Sequence, residues 1–198
     1  QPPVTLITKG TLIERDIPLL AEMASQKLLS VKVSVATLDD ELRRLMEPRA
    51  ASPKARLSII AELAAHNIPV AGLVSPIIPR INDHEMEAIL DAVKNAGASS
   101  AECRFIRLPC ELEAHFEQWL LSHYPDRAEQ VMTQIRLNSS NARPSGIGAR
   151  VGGEGVFTQL LAQRFEFAMR KLGLNKHLAS LDTARFTLAD HGQINLFT

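Results

Sequence analysis

Residues 31–56 read VKVSVATLDDELRRLMEPRAASPKAR, and the fold class is decided inside this stretch. Val31, Val33 and Val35 alternate with Lys32, Ser34 and Ala36, so the two sets fall on opposite sides of a sheet. The chain then turns directly into helix. Thr37 and Asp40 form a T-x-x-D cap, and Leu38, Leu42, Leu45 and Met46 recur at helical spacing. Pro48 disfavours helical geometry at Glu47 and stops that helix. Ser52 and Pro53 start the next one, as N-cap and first helical residue. A strand with one small and polar face, followed at once by helix, is one unit of an α/β sheet. In such units the chemistry gathers at the C-terminal ends of the strands.

Working outward, 4–9 (VTLITK) reads as a buried parallel strand and 17–29 as a helix with Pro18 in its first turn. The organising strand covers 31–37. Residues 53–67 form a crossover helix that buries Leu57, Ile60, Leu63 and Ala64 and ends at a left-handed Asn67. The next strand, 70–75, contains Gly72, which allows close approach of backbone or ligand. A Pro-stiffened loop, 76–82, leads to a helix capped by Asp83 and closed by Gly97, then a fourth strand at 101–108. Strands starting near 4, 31, 70 and 101 leave room for a helix in each connection, so the sheet is expected to be parallel. Beyond it lie helical patterns at 111–123, 125–137 and 156–172, a Gly/Ser/Asn loop at 138–155, and a short strand at 184–188. This divides the chain into a (β/α) part, 1–110, and a helical extension, 111–198, packed on it.

Composition limits the function classes. The chain has 198 residues, 45% of them hydrophobic, enough to bury a full core. Lys plus Arg and Asp plus Glu both number 22, so no overall basic excess marks a nucleic-acid domain. No run reaches transmembrane length and no charged-then-apolar start marks a signal peptide. The two cysteines make no disulfide framework, and a cytoplasmic chain is expected. The sequence opens Gln-Pro-Pro and enters an apolar strand within a few residues, as a segment of a larger α/β protein or a processed terminus would.

Several residues carry candidate chemistry, each with a plain alternative. Lys9, at the end of a strand, either holds a carboxylate or phosphate at the mouth or is solvated past the last pleat. Ser34 either faces a ligand-holding lumen or packs a tight turn of sheet. Glu47-Pro48-Arg49 is a helix stop with a surface ion pair, or an Arg fork aimed at an anion. Ser75-Pro76 opens a loop that walls a pocket or merely stiffens the connection, and Arg107 puts a guanidinium at a strand end.

Other constellations fail. Cys103 and Cys110, spaced C-x6-C without a His pair, make no zinc site. The six His show no H-x3-H pairing, and no G-x-S-x-G elbow occurs. GIGARVGGEG is not followed by Gly-Lys-Ser/Thr, so it is no phosphate loop; its Arg143 and Arg150 either touch a nucleic-acid backbone or sit in a plain surface loop.

Taken together, LITKG with Arg15-Asp16, VSVATLDDELRRLMEPRAASPKAR, GLVSPIIPRINDHE and RLPCELEAHFEQWL resemble the radical S-adenosylmethionine (SAM) family. Within it they are similar to the DNA repair photolyase-like subgroup, related to the spore photoproduct lyases. The resemblance implies an open, partial (β/α)6 barrel, a [4Fe-4S] cluster, and reductive cleavage of SAM to a 5′-deoxyadenosyl radical that abstracts hydrogen. It also implies that Lys9 and Ser34 lie near the methionyl carboxylate of the cofactor, and that Arg49, Ser75 and Pro76 line the mouth. The family's C-x3-C-x2-C motif is absent from this sequence, and in the family it lies after the first strand, upstream of anything here. The chain therefore resembles the last four strands and C-terminal region of the barrel, with no cluster bound and no catalysis by this chain alone. The rival expectation is a non-catalytic degenerate barrel that grips nucleic acid or a protein partner. A third, a metal-free (β/α) lyase or aldolase, would need Lys9 to form a Schiff base.

Overall fold

The alternation of valines in 31–35 does produce a two-faced strand at the centre of a parallel sheet. In the computed structural model, which describes residues 2–140, 156–174 and 180–184, the strands are β1 (Val4–Thr8), β2 (Leu29–Ser34), β3 (Val70–Ile77) and β4 (Ser100–Phe105). They pair in the order β1-β2-β3-β4, all parallel. This is the α/β architecture expected, the four-stranded part of an open (β/α) barrel with helices in each connection. The helices are α1 (Ile17–Ser25), α2 (Asp40–Met46), α3 (Pro53–Ala65), α4 (Met86–Asn95), α5 (Cys110–His123), α6 (Ala128–Ser140) and α7 (Val156–Leu172).

One face of the sheet is sealed. Val31, Val33 and Val35 are fully buried, together with Ile59, Ile60 and Leu63 of α3 and Ile89, Leu90 and Val93 of α4. Each such side chain contributes roughly 1.5–3 kcal/mol of transfer free energy. The same core runs on through Val131, Met132 and Ile135 of α6 and Leu161 and Phe165 of α7. α7 docks on α4 and β4, and Arg164 grips the Glu87 carboxylate through Nε and Nη2 at 2.8 and 2.7 Å.

The opposite face is exposed only at its β1 edge. Register and alternation place Ile7, Lys32, Ala71 and Ser100 in one row across it. Ile7 is 62% exposed there, which a closed and filled barrel would not allow.

Several expectations are corrected. β2 begins at Leu29 and ends at Ser34, and a 3-10 turn, Thr11–Asp16, precedes α1. The cap of α2 is Asp39, whose side chain accepts from Glu41 N at 2.8 Å; Thr37 instead donates to Glu85 at 2.6 Å. Asp83 makes no cap bond, because a second 3-10 turn, Asp83–Glu85, intervenes before α4. β4 stops at Phe105, after a register shift between Val74 and Ile77. Gly72 serves helix packing rather than ligand approach: a Cβ there would lie 2.8 Å from Val93 Cγ2. α3 buries Arg56 and Ile59 beside Ile60 and Leu63, while Leu57 is only partly covered. α5 opens one residue early, at Cys110, and α6 spans 128–140 where 125–137 was expected. The loop positions Arg143 and Arg150, and residues 185–188 of the strand expected at 184–188, lie outside the described residues. Ser52 does cap α3, accepting from Ala55 N at 3.2 Å, and Asn67 is left-handed at φ 57°.

Candidate functional site

The C-terminal ends of β1, β2 and β3 meet at one mouth, built outward from a buried cation. Arg56 lies in α3 on the stripe that faces the sheet, and its side chain is 2% exposed. A bare guanidinium there would be costly, so every direction it points carries an acceptor. Nε donates to Ala51 O at 2.9 Å, Nη1 to Ser34 O at 2.9 Å, and Nη2 to Glu47 Oε2 at 2.5 Å. The other oxygen of Glu47 takes the Lys9 ammonium. One carboxylate thus joins the end of β1 to the buried arginine of α3.

The loop that delivers Glu47 is held at several points. Pro48 ends α2 at Met46. Arg43 Nη1 donates to Ala50 O at 3.3 Å, and Ala51 N donates to Lys9 O at 3.2 Å. Burial works against the Glu47 carboxylate, but the hydrogen bonds from Lys9 and Arg56 outweigh it. The group is held below its usual range.

On the next strand, the Ser34 side chain is buried and its hydroxyl donates to Ser75 O at 3.0 Å. The Ser75–Pro76 peptide is cis. Buried Asn82 then closes the mouth from behind: Nδ2 donates to Ala36 O and to Pro76 O, both at 2.8 Å, and Oδ1 accepts from Ile78 N at 2.7 Å. Glu85 accepts from Leu38 N at 2.7 Å as well as from Thr37, so the exit of β2 is fastened to the start of α4.

Lys9, Ser34, Ser75 and Pro76 are therefore brought together. Arg49 is exposed and takes no part in this network, and Arg107 is exposed beyond β4. The ion pair at Glu47-Pro48-Arg49 is made with Lys9 and Arg56 rather than with Arg49. Sequence reasoning missed Arg56, Asn82 and Glu85. A signal existed for the first: Arg56 sits at i−3, i−4 and i−7 to Ile59, Ile60 and Leu63, on the apolar stripe.

A [4Fe-4S] cluster does not fit the residues present. Cys103 is fully buried among the side chains of the sealed face, and burial pushes its thiol up to about 12. Cys110 is exposed at the start of α5. Among the described residues no group of three or more His, Cys, Asp or Glu is placed to hold a metal. The amino-acid end of SAM does find complementary groups: a half-exposed ammonium at Lys9, beside the Glu47 carboxylate.

Residues 1–93 match the family model described as the radical SAM superfamily. The match takes in just under half of the chain, and over those residues the chain is similar to the radical SAM superfamily. By structure the chain is similar to two single-substitution mutants of spore photoproduct lyase. Each shows 12% sequence identity, with TM-scores of 0.52 and 0.53, over 86% and 87% of this chain and 48% and 49% of theirs. At that identity the likeness establishes the shared fold. By sequence the chain is similar to uncharacterized proteins of Mycobacterium bovis and Mycobacterium tuberculosis. These are 34% identical over 126 residues, 63% of this chain and 37% of theirs. An uncharacterized protein of Acidianus two-tailed virus is 38% identical over 72 residues, 36% of this chain and 23% of its own length. The chain thus spans well under half the length of the curated relatives it matches. No described helix is long and apolar enough to cross a membrane.

Proposed function

We propose that this chain is the SAM-binding part of a radical SAM enzyme of the photolyase-like subgroup, acting in the cytoplasm. Residues 1–110 form its share of the barrel, and residues 111–198 a helical extension packed on it. The observation that carries the reading is the mouth of β1–β3, where an exposed ammonium at Lys9 stands over a polar floor inside the region that matches the superfamily.

In this reading Lys9 binds the carboxylate of the cofactor's methionyl group, and Glu47 and Arg56 hold Lys9 in place. Ser34, Ser75 and Pro76 shape the floor beneath it. Arg49 reaches the ligand from the exposed loop after α2. SAM, when bound, supplies hydrogen-abstraction chemistry; the cluster is held by residues outside this chain, and this chain alone is inactive. The chain's own work is to bind, orient and shield the cofactor.

The test uses a full-length protein containing this chain, reconstituted anaerobically with iron and sulfide. Reductive release of 5′-deoxyadenosine from SAM is expected. Its absence, in a protein that carries three cluster cysteines, overturns the reading. Lys9→Ala should weaken SAM binding, and unchanged affinity would remove Lys9 from the site. A non-catalytic barrel that grips nucleic acid would instead show binding that falls steeply with salt.

A further inference from the structure

A surface cleft of about 440 Å3 opens between the turn that follows β3 and one face of α6. Its walls are Arg80, from that turn, and Glu129, Gln130, Thr133 and Gln134, from α6. Every one of these side chains is polar or charged. The volume falls within the range of about 300–1,000 Å3 common to small-molecule sites. Among the described residues, none of the five side chains hydrogen-bonds or ion-pairs with another part of the protein. Their bonding capacity is unspent.

The turn presents Arg80 rigidly. Ile78 and Ile81 are buried, and Ile78 N is held by Asn82 Oδ1 at 2.7 Å. Arg127, just before α6, donates from Nη1 to Arg80 O at 2.9 Å. The backbone of Arg80 is left-handed, at φ 59°, a conformation that suits glycine and disfavours a residue with a side chain. Lys27 and Asn67 share it, but they lie just past α1 and α3, where a left-handed residue is an ordinary helix stop. Arg80 ends no helix. Glycine would complete this turn with less strain, so the fold alone does not account for an arginine here. Strained residues of this kind gather at ligand sites.

The charges on the two walls narrow the ligand's class. Arg80 offers a planar fork that fits a carboxylate, and Glu129 an acceptor for an ammonium. They face one cleft from different elements, and no ion pair joins them. One free cation and one free anion complement a ligand that carries a charge of each sign. Gln130, Thr133 and Gln134 supply donors and acceptors for its polar remainder. We propose that the cleft between the β3 turn and α6 binds a small zwitterion of the amino-acid class, its carboxylate on Arg80 and its ammonium on Glu129. The site shares no residue with the mouth and does not depend on the radical reading.

The test is an NMR titration of the full 198-residue chain with glycine and, separately, glycylglycine, at ionic strength held constant with sodium chloride. Acetate and methylammonium serve as singly charged controls. At least one zwitterion should shift the backbone amides of Arg80, Gln130 and Gln134 saturably, and bind about tenfold more tightly than either control. Arg80→Gly suits the left-handed backbone, so it keeps the turn while removing the fork; it should weaken binding about tenfold. Glu129→Gln should abolish the preference for the zwitterion over acetate. Unmoved amides with both zwitterions overturn the site, as does a control that binds as tightly as they do. So does an Arg80→Gly chain that keeps its amide pattern elsewhere and its affinity, or a Glu129→Gln chain that keeps the preference.

Discussion

Arg56 Nη2 lies 2.5 Å from Glu47 Oε2, with the arginine side chain 2% exposed and the glutamate 13%. The second oxygen of that carboxylate holds Lys9. Two cations from different elements therefore depend on one anion, and the dependence is unequal: Lys9 is 45% exposed and can turn to water, whereas Arg56 cannot.

Removing Glu47 should for that reason cost more than removing Arg56. Glu47→Ala strands a buried guanidinium, and breaking a buried pair from one side costs about 3 kcal/mol or more. Arg56→Met leaves Glu47 with Lys9 and fills the space with apolar atoms, at about 1–2 kcal/mol for the carbonyls of Ser34 and Ala51 left behind. Urea unfolding measures both. The reverse order would contradict the unequal dependence.

Acid should act through the same carboxylate. The folded-state pKa of Glu47 is depressed, so its stabilising contribution is present above the unfolded glutamate value, about 4.3, and is lost as pH falls through the lower folded value. Glu87, held down chiefly by its hydrogen bond from Arg164, adds in the same direction. The unaltered chain should lose stability on acidification below about pH 4–5, and Glu47→Gln should lose less over that window. Parallel acid limbs for the two chains would show that Glu47 titrates alike folded and unfolded.

Asn82→Ala should loosen the exits of β2 and β3 together. It leaves Ala36 O, Pro76 O and Ile78 N without the partner that now serves all three. Each buried group left unsatisfied costs about 1–3 kcal/mol, so a loss of at least about 2 kcal/mol is expected. Faster amide exchange should appear at Ile78. A variant as stable as the parent would mean that water replaces the side chain without cost.

Gly72→Ala tests the sealed face. The added Cβ would meet Val93 Cγ2 at 2.8 Å and Val93 Cβ at 3.0 Å. A valine branch has no flexible end to swing away, so α4 must shift, at about 1–3 kcal/mol. A combined Gly72→Ala, Val93→Ala chain should recover part of that loss. No recovery would place the strain elsewhere.

The two cysteines should differ sharply towards alkylation near neutral pH. Cys103 is buried and its thiol is pushed up to about 12, so little reactive thiolate forms, while Cys110 is exposed. Iodoacetamide should label Cys110 in the folded chain and both residues after denaturation, read by mass spectrometry. Rapid labelling of Cys103 in the folded chain would show that β4 opens readily.

Much of this architecture was legible locally. Val31, Val33 and Val35 announced a two-faced strand, Pro48 a helix stop, and Ser52-Pro53 a helix start; the structure has all of these. Gly72 misled because a missing side chain looks the same whether a ligand or a helix takes the space. Val93, which takes it, comes 21 residues later. Thr37 misled because its hydroxyl had two possible uses, and Glu85, brought near by the β3 crossover, outcompeted the cap.

By itself the sequence determined the parallel βα order and the helix boundaries set by Pro and Ser, because periodicity and turn chemistry act between near neighbours; it also carried the resemblance to the superfamily. Only the tertiary structure decided which charges meet. Lys9 and Glu47 are 38 residues apart, and Lys32 and Glu102 are 70 apart. Their meeting depends on strand register and on where the loop after α2 crosses the mouth. No spacing along the chain records that, since side chains from different strands become neighbours only once the sheet is assembled.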